Sequence, residues 1–165
     1  MRKLSILLCL MLLLSGCAGS EPSLRFAYRQ KEPQYGSADG VIGWEARQAP
    51  GHEEDLQYLL ILYLEGPLDD TLVAPFPAGT ALEGYTYSDS TLYVTLTEPY
   101  AGLDGIEHTV ASACIAQTCF QLTPAEKVVI KCTSEQFGNK SITLYRDSVL
   151  LYDDSTAPPQ TEAPQ

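Results

Sequence analysis

Positive charge is scarce in this chain. Ten Lys and Arg stand against 21 Asp and Glu, a formal net charge of −11 at pH 7. That balance argues against nucleic acid or an anionic membrane surface as a partner, because both reward Lys and Arg. Histidine is scarcer still: only His52 and His108 occur, too few and too far apart to complete a zinc site with the cysteines. There is no Gly-rich phosphate loop, no Gly-X-Ser-X-Gly elbow and no His-Glu-X-X-His helix. Asp69-Asp70 and Asp153-Asp154 lack the spaced oxygen ligands and closing Glu of a calcium loop. A long apolar run is missing too, since Leu4 to Leu14 falls short of the ~20 residues that a membrane-crossing helix needs. The expectation is therefore a protein with no catalytic residues, no metal ligands and no cofactor.

What Leu4 to Leu14 does fit is the core of a signal peptide. Arg2 and Lys3 give it a positive start, and Leu14-Ser15-Gly16 leads directly into Cys17. The arrangement resembles a bacterial lipoprotein signal with its lipobox. That resemblance implies removal of residues 1–16, diacylation of the Cys17 sulfur, and residence on the extracytoplasmic face of the cell membrane. The alternative is an ordinary secretory signal cut near Ala18 or Gly19, with Cys17 discarded. After cleavage at Gly16, eight Lys and Arg would face 21 acids, a charge of −13. The remaining length suffices for one domain with a real core and leaves little room for two.

The chain divides accordingly. Residues 1–16 read as the signal, 17–23 as the lipidated cysteine and a small, polar tether, and 24–152 as the folded domain. The tail from 153 to 165 has no apolar residues large enough to build a core and is expected to be disordered.

Within the domain, Leu24, Phe26 and Tyr28 alternate with Arg25, Ala27 and Arg29, the period of a half-buried strand. A loop over Gln34 to Gly40 precedes a second strand, Val41 to Arg47, which carries the only tryptophan, Trp44. Glu53-Glu54-Asp55 then opens a helix, where acids oppose the positive end of the helix dipole. Leu56, Leu59, Leu60 and Tyr63 form its apolar stripe; Ile61, Leu62 and Leu64 widen the stripe enough that the helix is expected to be well covered. Gly66-Pro67 ends it. After a loop from Asp69 to Gly79 comes a hairpin, Leu82 to Tyr87 and Thr91 to Thr97 around Ser88-Asp89-Ser90. Leu92, Val94 and Leu96 share one face, and Thr91, Tyr93, Thr95 and Thr97 the other. Pro99 to Gly105 reads as loop, and Ile106 to about Gln121 as a small-residue helix presenting Val110, Ala111, Ala113, Cys114, Ile115 and Cys119. The strand Lys127 to Thr133 follows, with Val128, Ile130 and Cys132 on one face, then short strands near Ile142–Tyr145 and Val149–Tyr152. Two helices against one largely antiparallel sheet make a two-layer α+β domain.

Three side-chain groups invite a chemical reading. Cys114, Cys119 and Cys132 do not form a dense, even-numbered disulfide set. In a helix the first two lie too far apart to bridge, although Cys132 could meet either one; three small buried hydrophobes are the simpler reading. His108 and Ser112 stand four apart and could touch, yet no motif supplies the orienting carboxylate or oxyanion hole that a small hydrolase would need. Trp44, Tyr85 and Tyr87 could offer stacking surface to a ligand or serve as structural pairs.

Four short motifs, taken in order, resemble the GerMN domain, the sporulation and spore-germination domain. They are Tyr63-Leu64-Glu65-Gly66-Pro67, Phe76-Pro77-Ala78-Gly79-Thr80, Leu92-Tyr93-Val94-Thr95-Leu96-Thr97, and Gln117-Thr118-Cys119 ahead of Leu122 and Pro124, with Val128-Val129-Ile130 following. Thr95, Cys119 and Gln117 depart from the family's usual Asp, Leu and aromatic residue. The resemblance covers roughly Leu24 to Tyr152. It implies a single such domain on a lipoprotein of a Gram-positive, spore-forming bacterium, with a non-enzymatic role in protein–protein assembly at an envelope membrane. Its partners would be the membrane, through the Cys17 lipid, and an envelope protein; nucleic acid is not expected. The alternative is a general envelope lipoprotein that binds a small ligand or a peptidoglycan fragment.

Overall fold

A computed structural model describes residues 24–34 and 40–148. Cys17, the tether, the tail and the expected strand Val149–Tyr152 lie outside the described residues. The element order is β1 (Leu24–Gln30), β2 (Ile42–Arg47), α1 (Leu56–Leu64), β3 (Leu72–Val73), β4 (Leu82–Ser88), β5 (Thr91–Leu96), a 3₁₀ helix (Glu98–Gly102), α2 (Gly105–Leu122), β6 (Lys127–Cys132) and β7 (Lys140–Tyr145).

The domain is α+β, with mostly antiparallel strands. They divide into two sheets, β2-β1-β3 and β4-β5-β6-β7, where one had been expected. The division has a visible cause at the open edge of β1. β3 pairs only with Arg29 and Gln30, and past it the Thr118 hydroxyl of α2 accepts the Ala27 N–H at 2.9 Å. A helix therefore occupies the edge where another strand would have continued the sheet. The same placement explains Ala27. Alternation predicts it exposed, yet it is fully buried, grouped with Ile42 and Cys114 against Trp44, Val110 and Ala113. β1 is covered on both faces.

α1 begins one turn later than its acids suggest. Asp55 is the N-cap and accepts from Tyr58 N at 3.1 Å, while Glu53 precedes the helix and accepts from Gly51 N. Capping by a short acid satisfies a donor that the first turn leaves orphaned. Leu59, Leu60 and Tyr63 face inward as expected; Gly66, at φ +95°, ends the helix in the left-handed region that glycine enters without strain.

The hairpin keeps its expected register. Leu92, Val94 and Leu96 are at most 1% exposed. The turn residues Asp89 and Ser90 both have positive φ, 50° and 58°, the geometry whose twist suits a two-residue hairpin. β5 then pairs in parallel with β6, Leu92 opposite Val128 and Leu96 opposite Cys132. Parallel neighbours need a long crossover, and the 3₁₀ helix and α2 provide it. Tyr100 and Ala101, expected in loop, are buried in that 3₁₀ turn. One apolar core joins both helices to both sheets, from Phe26 and Tyr28 through Leu60 and Tyr63 to Ile115 and Ile130.

Candidate functional site

The chemistry-bearing groups do not converge. Ser112 donates to the His108 carbonyl at 2.6 Å and lies 2.8 Å from the Tyr100 hydroxyl. It thus makes the back-bond common to helical serines and forms no dyad with the imidazole. Burial, and second the Lys140 ammonium, hold the His108 pKa below its usual value. The Tyr100 hydroxyl is pushed up to about 12, mainly by burial. Asp69 is a turn former whose carboxylate accepts from Thr71 N and Oγ1. Among the described residues no three His, Cys, Asp or Glu side chains gather to hold a metal ion, and no helix is long and apolar enough to cross a membrane.

The three described cysteines are free and buried. Burial lifts the Cys114 and Cys119 thiols to about 12 and raises Cys132 as well. A protonated thiol is a poor nucleophile. In folded protein at pH 8, iodoacetamide should therefore leave Cys114, Cys119 and Cys132 unlabelled, and peptide mapping should find all three labelled after denaturation. A disulfide-linked peptide in the unreduced digest would contradict the assignment.

An ionic centre that alternation in the sequence does not reveal lies on β2. Glu45 and Arg47, two apart and so on one face, form an ion pair with side chains 8% and 6% exposed. Arg47 also donates to the carbonyls of Leu62, at 3.2 Å, and Gly66. The second Glu45 oxygen accepts from Leu68 N and Asp69 N, both at 2.7 Å. Phe26 and Tyr28 lie under the guanidinium, at 5.6 and 6.0 Å. The pair clamps the end of α1, so Leu64-Glu65-Gly66-Pro67 is held by β2 as well as by its own cap. Arg146 does the same for α2, donating to Thr123 O and Ala125 O and covering Phe120 at 4.9 Å.

The other motifs are likewise fastenings. Thr97 Oγ1 donates to Gly79 O and accepts from Ala81 N, tying Pro77-Ala78-Gly79-Thr80 to the end of β5. Thr118 secures β1. A comparison with family models finds Germane, sporulation and spore germination, matching residues 34–135. The chain belongs to the Germane family. Comparisons with curated proteins and with solved structures gave no match. The Germane assignment gives the protein a role in sporulation or spore germination, and the motifs that carry it build the frame.

Several large apolar side chains stay exposed among the described residues. Contrary to the expectation that it is well covered, α1 exposes Tyr58 and Ile61, at 40% and 45%, although His52 stacks on the Tyr58 ring at 4.2 Å. These lie three apart on one side of the helix. Leu68, just beyond its end, is 84% exposed, and Tyr85 and Tyr87 are exposed on β4, which packs beside α1. Trp44 is less available for stacking, being half-buried with Arg25 over its ring at 4.9 Å.

Proposed function

We propose that this protein is a lipid-anchored, non-enzymatic assembly module of the bacterial envelope, serving sporulation or germination by binding another protein. The observation that carries the reading is the exposure of Tyr58 and Ile61 on one side of α1, with Leu68 exposed beyond its end. Large apolar side chains on one side of a helix give another protein a surface to cover. The scattered polar groups support the same reading, since the Ser112 hydroxyl is taken up by the His108 carbonyl and the Tyr100 hydroxyl and not by the imidazole. The lipobox-like Leu14-Ser15-Gly16-Cys17 supplies the anchor, and anchoring raises the local concentration of the module near a membrane partner.

Deletion of the gene in the native host, followed by complementation, tests this. The wild-type protein and His108→Ala should both restore sporulation or germination, whereas Ile61→Asp should not, despite normal folding by circular dichroism. Failure of a folded His108→Ala to complement would favour a hydrolase. Full complementation by Ile61→Asp would remove the α1 surface from the account.

A further inference from the structure

A cleft of about 300 Å³ opens between α2 and the 74–77 segment, with Arg29 of β1 in its lining. Phe76, Leu103, Ile106 and Val110 give it apolar walls, Arg29 reaches it from β1, and Glu107 stands at its edge. Its volume lies at the lower end for small-molecule sites, which run about 300–1,000 Å³ and combine apolar walls with a few placed polar groups.

Arg29 is the unusual component. Arg47 and Arg146 spend their donors on carbonyls and a carboxylate, and Arg25 lies over Trp44. Among the described residues Arg29 joins neither ion pair, and its buried Nε has no hydrogen-bond partner. Buried donors are normally satisfied, and in a chain of net charge −11 acidic partners are abundant. Glu107 shares the cleft yet makes no ion pair with Arg29. An unmatched guanidinium among apolar walls complements a carboxylate on an apolar body, since guanidinium and carboxylate pair through charge-assisted hydrogen bonds.

We propose that this cleft binds a small apolar monocarboxylic acid, with Arg29 taking the carboxylate and Phe76, Leu103, Ile106 and Val110 enclosing the apolar body. Glu107 opposes the ligand's charge and sets an upper limit on affinity.

The probe is N-acetyl-leucine, titrated into the ¹⁵N-labelled full chain at low ionic strength and followed by amide chemical shifts. Saturable shifts confined to residues 74–77 and 103–110 are expected. N-acetyl-leucinamide, which lacks the charge, should bind about ten-fold more weakly or worse. Arg29→Gln should lose binding by a similar factor, and Glu107→Gln should strengthen it at least two-fold. Should Arg29→Gln misfold, Ile106→Glu provides the check: residue 106 is 62% exposed, so the fold survives while an added carboxylate repels the ligand. N-acetyl-alanyl-leucine distinguishes a free acid from a peptide terminus. Equal or weaker binding than N-acetyl-leucine supports the small acid, and ten-fold tighter binding replaces it with a peptide C-terminus. Equal binding of acid and amide, or unchanged binding in folded Arg29→Gln or Ile106→Glu, would overturn the proposal.

Discussion

Leu96→Asp is expected to cost roughly 4 kcal/mol or more, a large share of the ~5–15 kcal/mol that holds a domain of this kind together. Leu96 is fully buried at the end of β5, opposite Leu82 on one side and Cys132 on the other. The substitution removes a core side chain, itself worth about 2–5 kcal/mol when truncated, and buries a carboxylate in the core, while Lys140, two strands away in register beyond Cys132, already donates its ammonium to the Leu103 carbonyl. Burial of an unpaired ionised group is so unfavourable that the acid would be protonated or the strand would leave the core. Thr95→Asp, one residue away, is the internal control. Thr95 is on the opposite face, directly across from Lys131 on β6, and an opposite-charge pair there should hold the change within about 1 kcal/mol. Urea unfolding of the two variants compares them directly. Greater damage from Thr95→Asp would shift the strand by one residue and exchange its faces.

The second large effect is expected at the clamp on α1. Glu45→Ala leaves Arg47 buried with a full charge and removes the acceptor for Leu68 N and Asp69 N. Losing one partner of a buried pair costs about 3–5 kcal/mol, more than the intact pair is worth against an apolar replacement. Arg47→Met should cost comparably, because the carbonyls of Leu62 and Gly66 lose their donors. The double variant should then be less damaging than the two single effects added, a coupling that reports direct contact. Losses below about 1 kcal/mol in Glu45→Ala would mean that solvent reaches the pair. Hydrogen exchange would locate the damage, with amides near the end of α1 losing protection first.

The two substitutions also mark what could be read in advance. The β4–β5 hairpin was legible because strict alternation over Leu92 to Leu96 permits one arrangement, and two residues tolerant of positive φ stand between its strands. The inward stripe of α1 was legible for a similar reason. Glu45 and Arg47 were not. Charged residues two apart on a strand have the signature of a solvated face, and only the return of the chain through Gly66 turns that face into an interior. β3 was missed because two residues carry no period. The separation into two sheets was missed because it depends on where α2 lies against β1, and Thr118 gives no local sign that its hydroxyl will replace a strand. Arg29 and Arg146 share this property: their roles come from partners, or from a missing partner, far along the chain. The four motifs could be recognised as short stretches of sequence, although the bonds that Thr97 and Thr118 make from them reach Gly79 and Ala27.

The central claim is the anchor, and metabolic labelling tests it most directly. Two acyl chains hold a protein stably at a membrane where one does so only marginally. At a net charge of −13 after cleavage, electrostatics would repel the domain from anionic lipid, so the lipid would provide the entire hold. Cells expressing the wild-type chain or Cys17→Ser are fed a labelled fatty acid, and membrane, soluble and medium fractions are separated. The account predicts labelled wild-type protein in the membrane fraction, and Cys17→Ser that carries no label and is either soluble or retains its signal. Labelled Cys17→Ser, or unlabelled wild-type protein released into the medium, would contradict it.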